Sequence, residues 1–277
     1  MNIFFSIQVR TLLNAILLLL FISLSCNSLA QIKHALRDGD GRHFIPRGFV
    51  VTTNDGMGEV FFKDDDYKRM ARMGANVQVI RLELGKLSTF PGCQVDTNYL
   101  VKLDSLVSLG KNVGIKSIFK MTVYGVNDFS WETFWGNQKM NHKTYLQAWK
   151  VIWNRYNNDP WVLGYDLVNE PRKLSMEITY DRLTSDYLLP LYRILIDESN
   201  KINDSKYCLI QSIFMNKGEA VNYNQYAEIK TSINRENVIF SPHIYQEKKA
   251  YIQPTMSRFD QEATLNVAPI LIGEWGV

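Results

Sequence analysis

Two glutamates frame the chemistry this sequence could carry. Glu170 stands in Leu167-Val168-Asn169-Glu170-Pro171, and Glu274 in Ile272-Gly273-Glu274-Trp275-Gly276. Each closes an apolar run of the kind that forms a buried strand, so each carboxylate is expected where a strand ends. Two facing carboxylates can hydrolyse a glycosidic bond, one as proton donor and the other as nucleophile or base. Arg81, Asn169, His243 and Tyr245 stand at strand ends in the same way. Arg81 would favour the ionised form of a nearby carboxylate, whereas a buried partner touching hydroxyls would keep its proton. Taken singly, each residue has a plainer reading. A lone glutamate is usually a surface group, His243 after Pro242 can be a satisfied structural histidine, Arg81 can pair with Glu83, and Tyr245 can be core. Convergence at one mouth is what would make them a set.

The elements that must position them recur as one unit. Strand-like runs read 44–51, 76–82, 115–123, 162–168, 207–213, 238–244 and 269–273. Between them lie amphipathic patterns, with Leu146, Trp149, Ile152, Trp153 and Tyr156 on one stripe of 144–156 and shorter examples at 64–73, 98–109 and 187–198. Strands alternating with helices imply a parallel sheet. An unbroken series favours a closed (β/α) barrel over an open doubly wound sheet, and puts the working residues at the C-terminal strand ends. No GxGxxG or GxxxxGK[ST] follows a strand, so the nucleotide-binding alternatives lack their phosphate loop.

Composition narrows the class further. The 277 residues are 46% hydrophobic and 21% charged, with a net charge of +3. That excludes a disordered polyampholyte, and no basic cluster suggests nucleic acid. Arg10 precedes an apolar stretch over 12–24, and Ser28-Leu29-Ala30 follows it. This reads as a secretory signal peptide over 1–30, cleaved before Gln31, and is short for a membrane span. A secreted or periplasmic location follows, with a lipid anchor through Cys26 as the less favoured variant. Cys93 and Cys208 are expected at opposite ends of the domain and unbridged, and neither has zinc-site spacing. Asp64-Asp65-Asp66 reads as the acidic first turn of a helix rather than a calcium loop.

The motifs together resemble glycoside hydrolase family 5. Asn169-Glu170-Pro171 resembles its acid/base signature, Ile272 to Gly276 its nucleophile segment, and Ser241-Pro242-His243-Ile244-Tyr245 its sixth strand. Asn76 to Arg81 resembles its second strand, and Ile45-Pro46-Arg47-Gly48-Phe49 its first. The resemblance runs from about residue 40 to the end. It implies a (β/α)8 TIM barrel over 31–277 and a retaining β-glycosidase acting on a carbohydrate substrate, with no cofactor and no metal. Glu170 would be the acid/base and Glu274 the nucleophile. Asn169 would bond the sugar 2-hydroxyl, Tyr245 and Arg81 would orient Glu274, and His243 would contact the acid/base or the sugar. Pro171 should bias Glu170 to extended backbone. Trp275, Tyr124, Trp131 and Trp135 are candidate stacking platforms for sugar rings.

Two departures stand out. The family's third-strand histidine is replaced by Thr122 or Tyr124, and the chain stops at Val277, three residues after Glu274. The last helix and the eighth strand–helix unit are therefore expected to be missing from a domain that would otherwise be monomeric. A carbohydrate-binding relic, or a fragment of such an enzyme, is the alternative reading.

Overall fold

The computed structural model describes residues 36–37, 41–54, 59–87, 94–123, 131–136, 138–173, 177–214, 233, 235–245, 249–266 and 268–276. It divides into two compact units, residues 1–45 and 46–277. In the first, Arg37 and His43 form an antiparallel bridge, and Gly41 stands at φ 76°. Cys26, Cys93 and Tyr124 lie outside the described residues.

The second unit is built on parallel strands. They are β1 (Gly48–Thr52), β2 (Val77–Glu83), β3 (Lys116–Thr122), β4 (Val162–Asp166), β5 (Tyr207–Ile210) and β6 (Val238–Phe240), hydrogen-bonded in chain order. A second parallel pair joins β7 (His243–Tyr245) to β8 (Glu274–Gly276). The run 238–244 is thus two strands rather than one. Pro242 has no N–H to give, and the ladder breaks there. The partner run follows it all the same: Phe240 N–H donates to Pro269 O at 2.9 Å, Leu271 N–H to Phe240 O at 3.0 Å and Gly273 N–H to Pro242 O at 2.9 Å.

Among the described residues, helices lie between β1 and β2, β2 and β3, β3 and β4, β4 and β5, and β7 and β8. They are α1 (Asp64–Arg72), α2 (Leu84–Leu87), α3 (Thr97–Asn112), α4 (Trp131–Gly136), α5 (Gln138–Tyr156), α6 (Tyr180–Leu183), α7 (Leu189–Ile202) and α8 (Lys249–Asn266). The three aspartates of α1 do stand in its first turn, beside the unsatisfied N–H groups that favour negative charge. The Asp96 carboxylate caps α3 by accepting from the N–H groups of Asn98 and Tyr99. The expected helix over 187–198 instead begins at Leu189, after a π-helical turn over Thr184–Leu188.

The core lies between the sheet and these helices. On α5 the stripe is Tyr145, Ala148, Trp149, Ile152, Trp153 and Tyr156, all buried, with Tyr145 taking the place expected of half-buried Leu146. Trp149 and Trp153 stack with ring centroids 5.7 Å apart, and Tyr165 of β4 meets Trp149 edge-on. Tyr145 Oη and Trp149 Nε1 both donate to the Leu167 carbonyl, at 2.7 and 3.1 Å. Two helix side chains one turn apart thereby fix the backbone just before Asn169 and Glu170. Alternation along the strands sends Phe119 and Met121 of β3 into this core and leaves Lys120 on the opposite face.

Candidate active site

Glu170 follows β4 and Glu274 opens β8, and the structure brings their carboxylates together. The ligand atoms of Glu170, Glu274 and His243 all lie within 4.8 Å of one another. Both glutamate side chains are mostly buried, 16% and 18% exposed, so each keeps one edge open to solvent. Gly273 is required beside them. A Cβ there would stand 2.6 Å from Ser241 Oγ and 3.1 Å from the His243 ring.

The backbone of Glu170 overturns one expectation. Its φ is 44°, the left-handed region, where an extended residue was expected before Pro171. It is the one non-glycine residue with positive φ among those described. Strain of this kind costs about 1–3 kcal/mol and persists only when the surroundings impose it. Here three contacts do so. Gln211 Oε1 accepts the Glu170 N–H at 3.1 Å, His243 Nδ1 meets Oε1 at 3.0 Å, and Arg172 Nη2 donates to Oε2 at 3.0 Å.

Glu274 is held from two sides. Tyr245 Oη donates to its Oε2 at 2.5 Å, and Lys120 Nζ donates to its Oε1 at 2.5 Å. Tyr245 thus stands where the sequence placed it, and Arg81 does not. The Arg81 guanidinium bonds the Asn54 carbonyl at 3.1 Å. The register explains the exchange. Arg81 pairs with Lys120 across β2 and β3, and Lys120 with Asp166 across β3 and β4. Two cations side by side on one face repel, and Lys120 takes the carboxylate while Arg81 turns to Asn54.

Charge around the two glutamates differs. Burial pushes the Glu170 carboxyl up, but the contact with His243 and the hydrogen bond and charge of Arg172 outweigh it and bring it down to about 2. Burial also pushes Glu274 up, and here the Lys120 charge and the neighbouring His243 ring, with the Lys120 and Tyr245 hydrogen bonds, hold it below the usual carboxylate range. Beneath them Asp166 is fully buried and is pushed up by that burial, against the pull of Lys120, His243 and Gln211. Gln211 Nε2 donates to both Asp166 oxygens, at 3.1 and 3.0 Å.

The other expected residues fall into two groups. Asn169 is buried and its Oδ1 meets no donor among the described residues. Trp275 is 77% exposed beside Glu274. Trp135 and Trp131, by contrast, are core residues and not platforms. Both are almost wholly buried, their rings stacked 5.6 Å apart, and Trp135 Nε1 donates to the Arg172 carbonyl at 2.8 Å. A ring packed on both faces has none to offer a sugar. Thr122 is likewise committed, donating to Leu82 O at 2.8 Å. Four residues at the site were not singled out from sequence: Lys120, Asp166, Gln211 and Arg172. The available signal was a charge inside an apolar run, as in Ile118-Phe119-Lys120-Met121 and Tyr165-Asp166-Leu167.

Glu170, His243 and Glu274 are close enough together to hold a cation. Each is already met by a donor, and a cation there would stand against the Lys120 ammonium, so the donor set fits an organic polar ligand better.

A family model described as cellulase (glycosyl hydrolase family 5) matches residues 40–277. No curated protein matches the sequence. Among solved structures, the chain resembles the lactosyl-enzyme intermediate of endo-glycoceramidase II from Rhodococcus sp., at TM-score 0.68 and 18% identity, covering 85% of this chain and 66% of that one. It therefore spans just under two thirds of that protein. An endogalactoceramidase matches at TM-score 0.71 and 20% identity, over 88% of this chain and 67% of that one. An endoglucanase from Pseudomonas stutzeri matches at 0.61 and 17%, over 87% and 79%. At such identities the likeness speaks for the fold, the α/β arrangement of a (β/α)8 barrel.

Proposed function

The chain belongs to glycosyl hydrolase family 5, and on that premise we propose that it cleaves β-linked O-glycosidic bonds of a polysaccharide or glycoconjugate with retention of configuration. Glu274 attacks the anomeric carbon while Glu170 gives its proton to the leaving oxygen. The bond to that oxygen breaks and a glycosyl ester forms on Glu274. Glu170, now ionised, takes a proton from water, the water attacks the same carbon, and Glu274 leaves as a carboxylate.

The observation that carries this reading is the carboxylate separation. One oxygen of each group lies within 4.8 Å of the other, which supports the close spacing of a retaining pair, about 5–5.5 Å, over the about 6.5–9.5 Å of an inverting one. The surroundings agree. Lys120 and Tyr245 keep Glu274 ionised and ready to attack. Glu170 is ionised while Arg172 bonds it, which suits the second step. For the first, the leaving group must take the place of Arg172 at Oε2, so that burial again dominates and the carboxyl keeps its proton. Asn169 Oδ1, without a donor among the described residues, supports a role as acceptor of a sugar hydroxyl, and the open Trp275 ring supports one as a stacking face.

The substrate class follows the relatives, which are named for glycoceramides and glucans. The apolar leader over 12–24 supports export, with action outside the cytoplasm as a monomer. Hydrolysis of a panel of β-glucans, mannans and glycolipids, followed by NMR of the first anomer released, tests the proposal. Turnover with retention, abolished in Glu170→Gln and Glu274→Gln, is expected. Binding without turnover would favour a carbohydrate-binding relic, and an inverted product would remove Glu274 as nucleophile.

A further inference from the structure

We infer that Lys120 is the positioning residue that couples the two glutamates, fixing the charge of Glu274 and the tautomer of His243 together. The inference rests on the roles proposed above for Glu170 and Glu274. Its starting point is a lysine in the middle of a buried strand, 1% exposed. Such a group is rare unless it is paired and hydrogen-bonded. Lys120 finds two acceptors, Glu274 Oε1 at 2.5 Å and His243 Nε2 at 3.2 Å, and Asp166 Oδ2 stands 3.9 Å away as an ion pair beyond hydrogen-bond reach.

The contact with His243 has a consequence for the ring. An ammonium has donors only, so Nε2 must accept. The ring proton then resides on Nδ1, where it is donated to Glu170 Oε1 at 3.0 Å. Lys120 therefore determines, through the imidazole, that Glu170 receives a hydrogen bond at that oxygen. The circuit closes on its other side. Asp166 accepts from Gln211 Nε2, and Gln211 Oε1 accepts the Glu170 N–H. One buried cation thus reaches the nucleophile directly, the acid/base side chain through His243, and the acid/base backbone through Asp166 and Gln211.

The other groups facing Glu274 are accounted for. Tyr245 and His243 come from β7, Asp166 from β4, and Glu170, with Arg172 bonded to it, from the segment after β4. Arg81 of β2 is turned to Asn54. Among these, Lys120 alone is a full positive charge in contact with Glu274.

The test uses the full chain and five variants: Lys120→Met, Lys120→Gln, Lys120→Arg, Glu274→Gln and His243→Asn. With Lys120→Met, loss of a cation at contact distance should move the acid limb of kcat/KM up by about 1–3 pH units, with kcat falling more than KM rises. In ¹⁵N-histidine spectra, with His243→Asn to assign the ring, Nε2 should change from unprotonated to protonated. Lys120→Arg should restore both. Lys120→Gln keeps a neutral donor, so it should retain the tautomer while shifting the limb, and with Lys120→Arg it gives a result even if Lys120→Met does not fold. An unmoved limb together with an unchanged tautomer in Lys120→Met or Lys120→Gln overturns the inference. Failure of the glycosidase reading shows separately, as hydrolysis that survives in Glu274→Gln or is absent from the wild type. The tautomer measurement stands in either case.

Discussion

The side-chain oxygen of Gln211 accepts the backbone N–H of Glu170 at 3.1 Å, and the same side chain donates to both oxygens of Asp166. A residue at the end of β5 thereby holds a strained residue at the end of β4. Gln211→Ala should release φ of Glu170 and leave a buried carboxylate without two donors. We expect about 1–3 kcal/mol of lost stability and a fall in kcat greater than that of Asn203→Ala, a polar change far from the site. Chemical denaturation and steady-state kinetics give both numbers. Unchanged kcat in Gln211→Ala would show that the strain is held by other means.

Tyr245 is a separate lever on Glu274. Its hydroxyl donates to Oε2, and the ring is 41% exposed, so little packing is lost on its removal. Tyr245→Phe should leave the melting temperature nearly unchanged and cut kcat/KM by ~10–100-fold, the value of a hydrogen bond to a charged group at ~1.5–3 kcal/mol. The acid limb should move upward, because Glu274 loses one of the bonds that favour its ionised form. A limb that moves downward contradicts this.

Two tryptophans should respond in opposite ways. Trp275 is 77% exposed and Trp135 is 1% exposed. Trp275→Ala should raise KM by ~2–10-fold, the range for losing an aromatic stacking contact, at no cost in stability. Trp135→Ala should instead destabilise by about 3–5 kcal/mol through the cavity it leaves among Trp131, Phe134 and Tyr187. Thermal melts and KM for the pair decide it, and the reverse assignment would place the sugar platform at Trp135.

The depressed Glu170 carboxyl has a signature in stability. Its value falls from 4.5 to about 2 in the folded chain. The unfolded chain thus binds the proton more tightly, and the stability Glu170 contributes is full above about pH 4.5 and lost as pH falls through about 2. The difference in unfolding free energy between wild type and Glu170→Gln should be largest near neutrality and close up over that interval. A difference independent of pH would mean that Arg172 and His243 do not hold the carboxylate ionised.

Sequence carried the order of strands and helices, because apolar runs and amphipathic stripes report burial directly. It also carried Glu170, Glu274, His243 and Tyr245, which stand in short motifs, although His243 and Glu274 open β7 and β8 rather than closing strands. It did not carry Lys120 in place of Arg81. The two cations stand in register on neighbouring strands, and which of them meets Glu274 is a property of the folded arrangement rather than of either residue. Trp135 misled for a related reason. An aromatic after a strand can face solvent or core, and only the packing of α4 on α5 settles which. Gln211 was invisible because a polar residue at a strand end has many plain uses until its partners are known.

The ion pair between Lys120 and Asp166, 3.9 Å apart across neighbouring strands, bears on the order in which the chain matures during synthesis. Both residues leave the ribosome long before Glu274, the closest acceptor of Lys120. Were Glu274 its only counter-ion, the growing sheet would have to bury a bare ammonium or stay open. Asp166 removes that penalty. It serves as an early counter-ion, so β3 and β4 can dock with charge balanced and the acid/base half of the site can assemble first. When β8 arrives, Glu274 binds a lysine already in place.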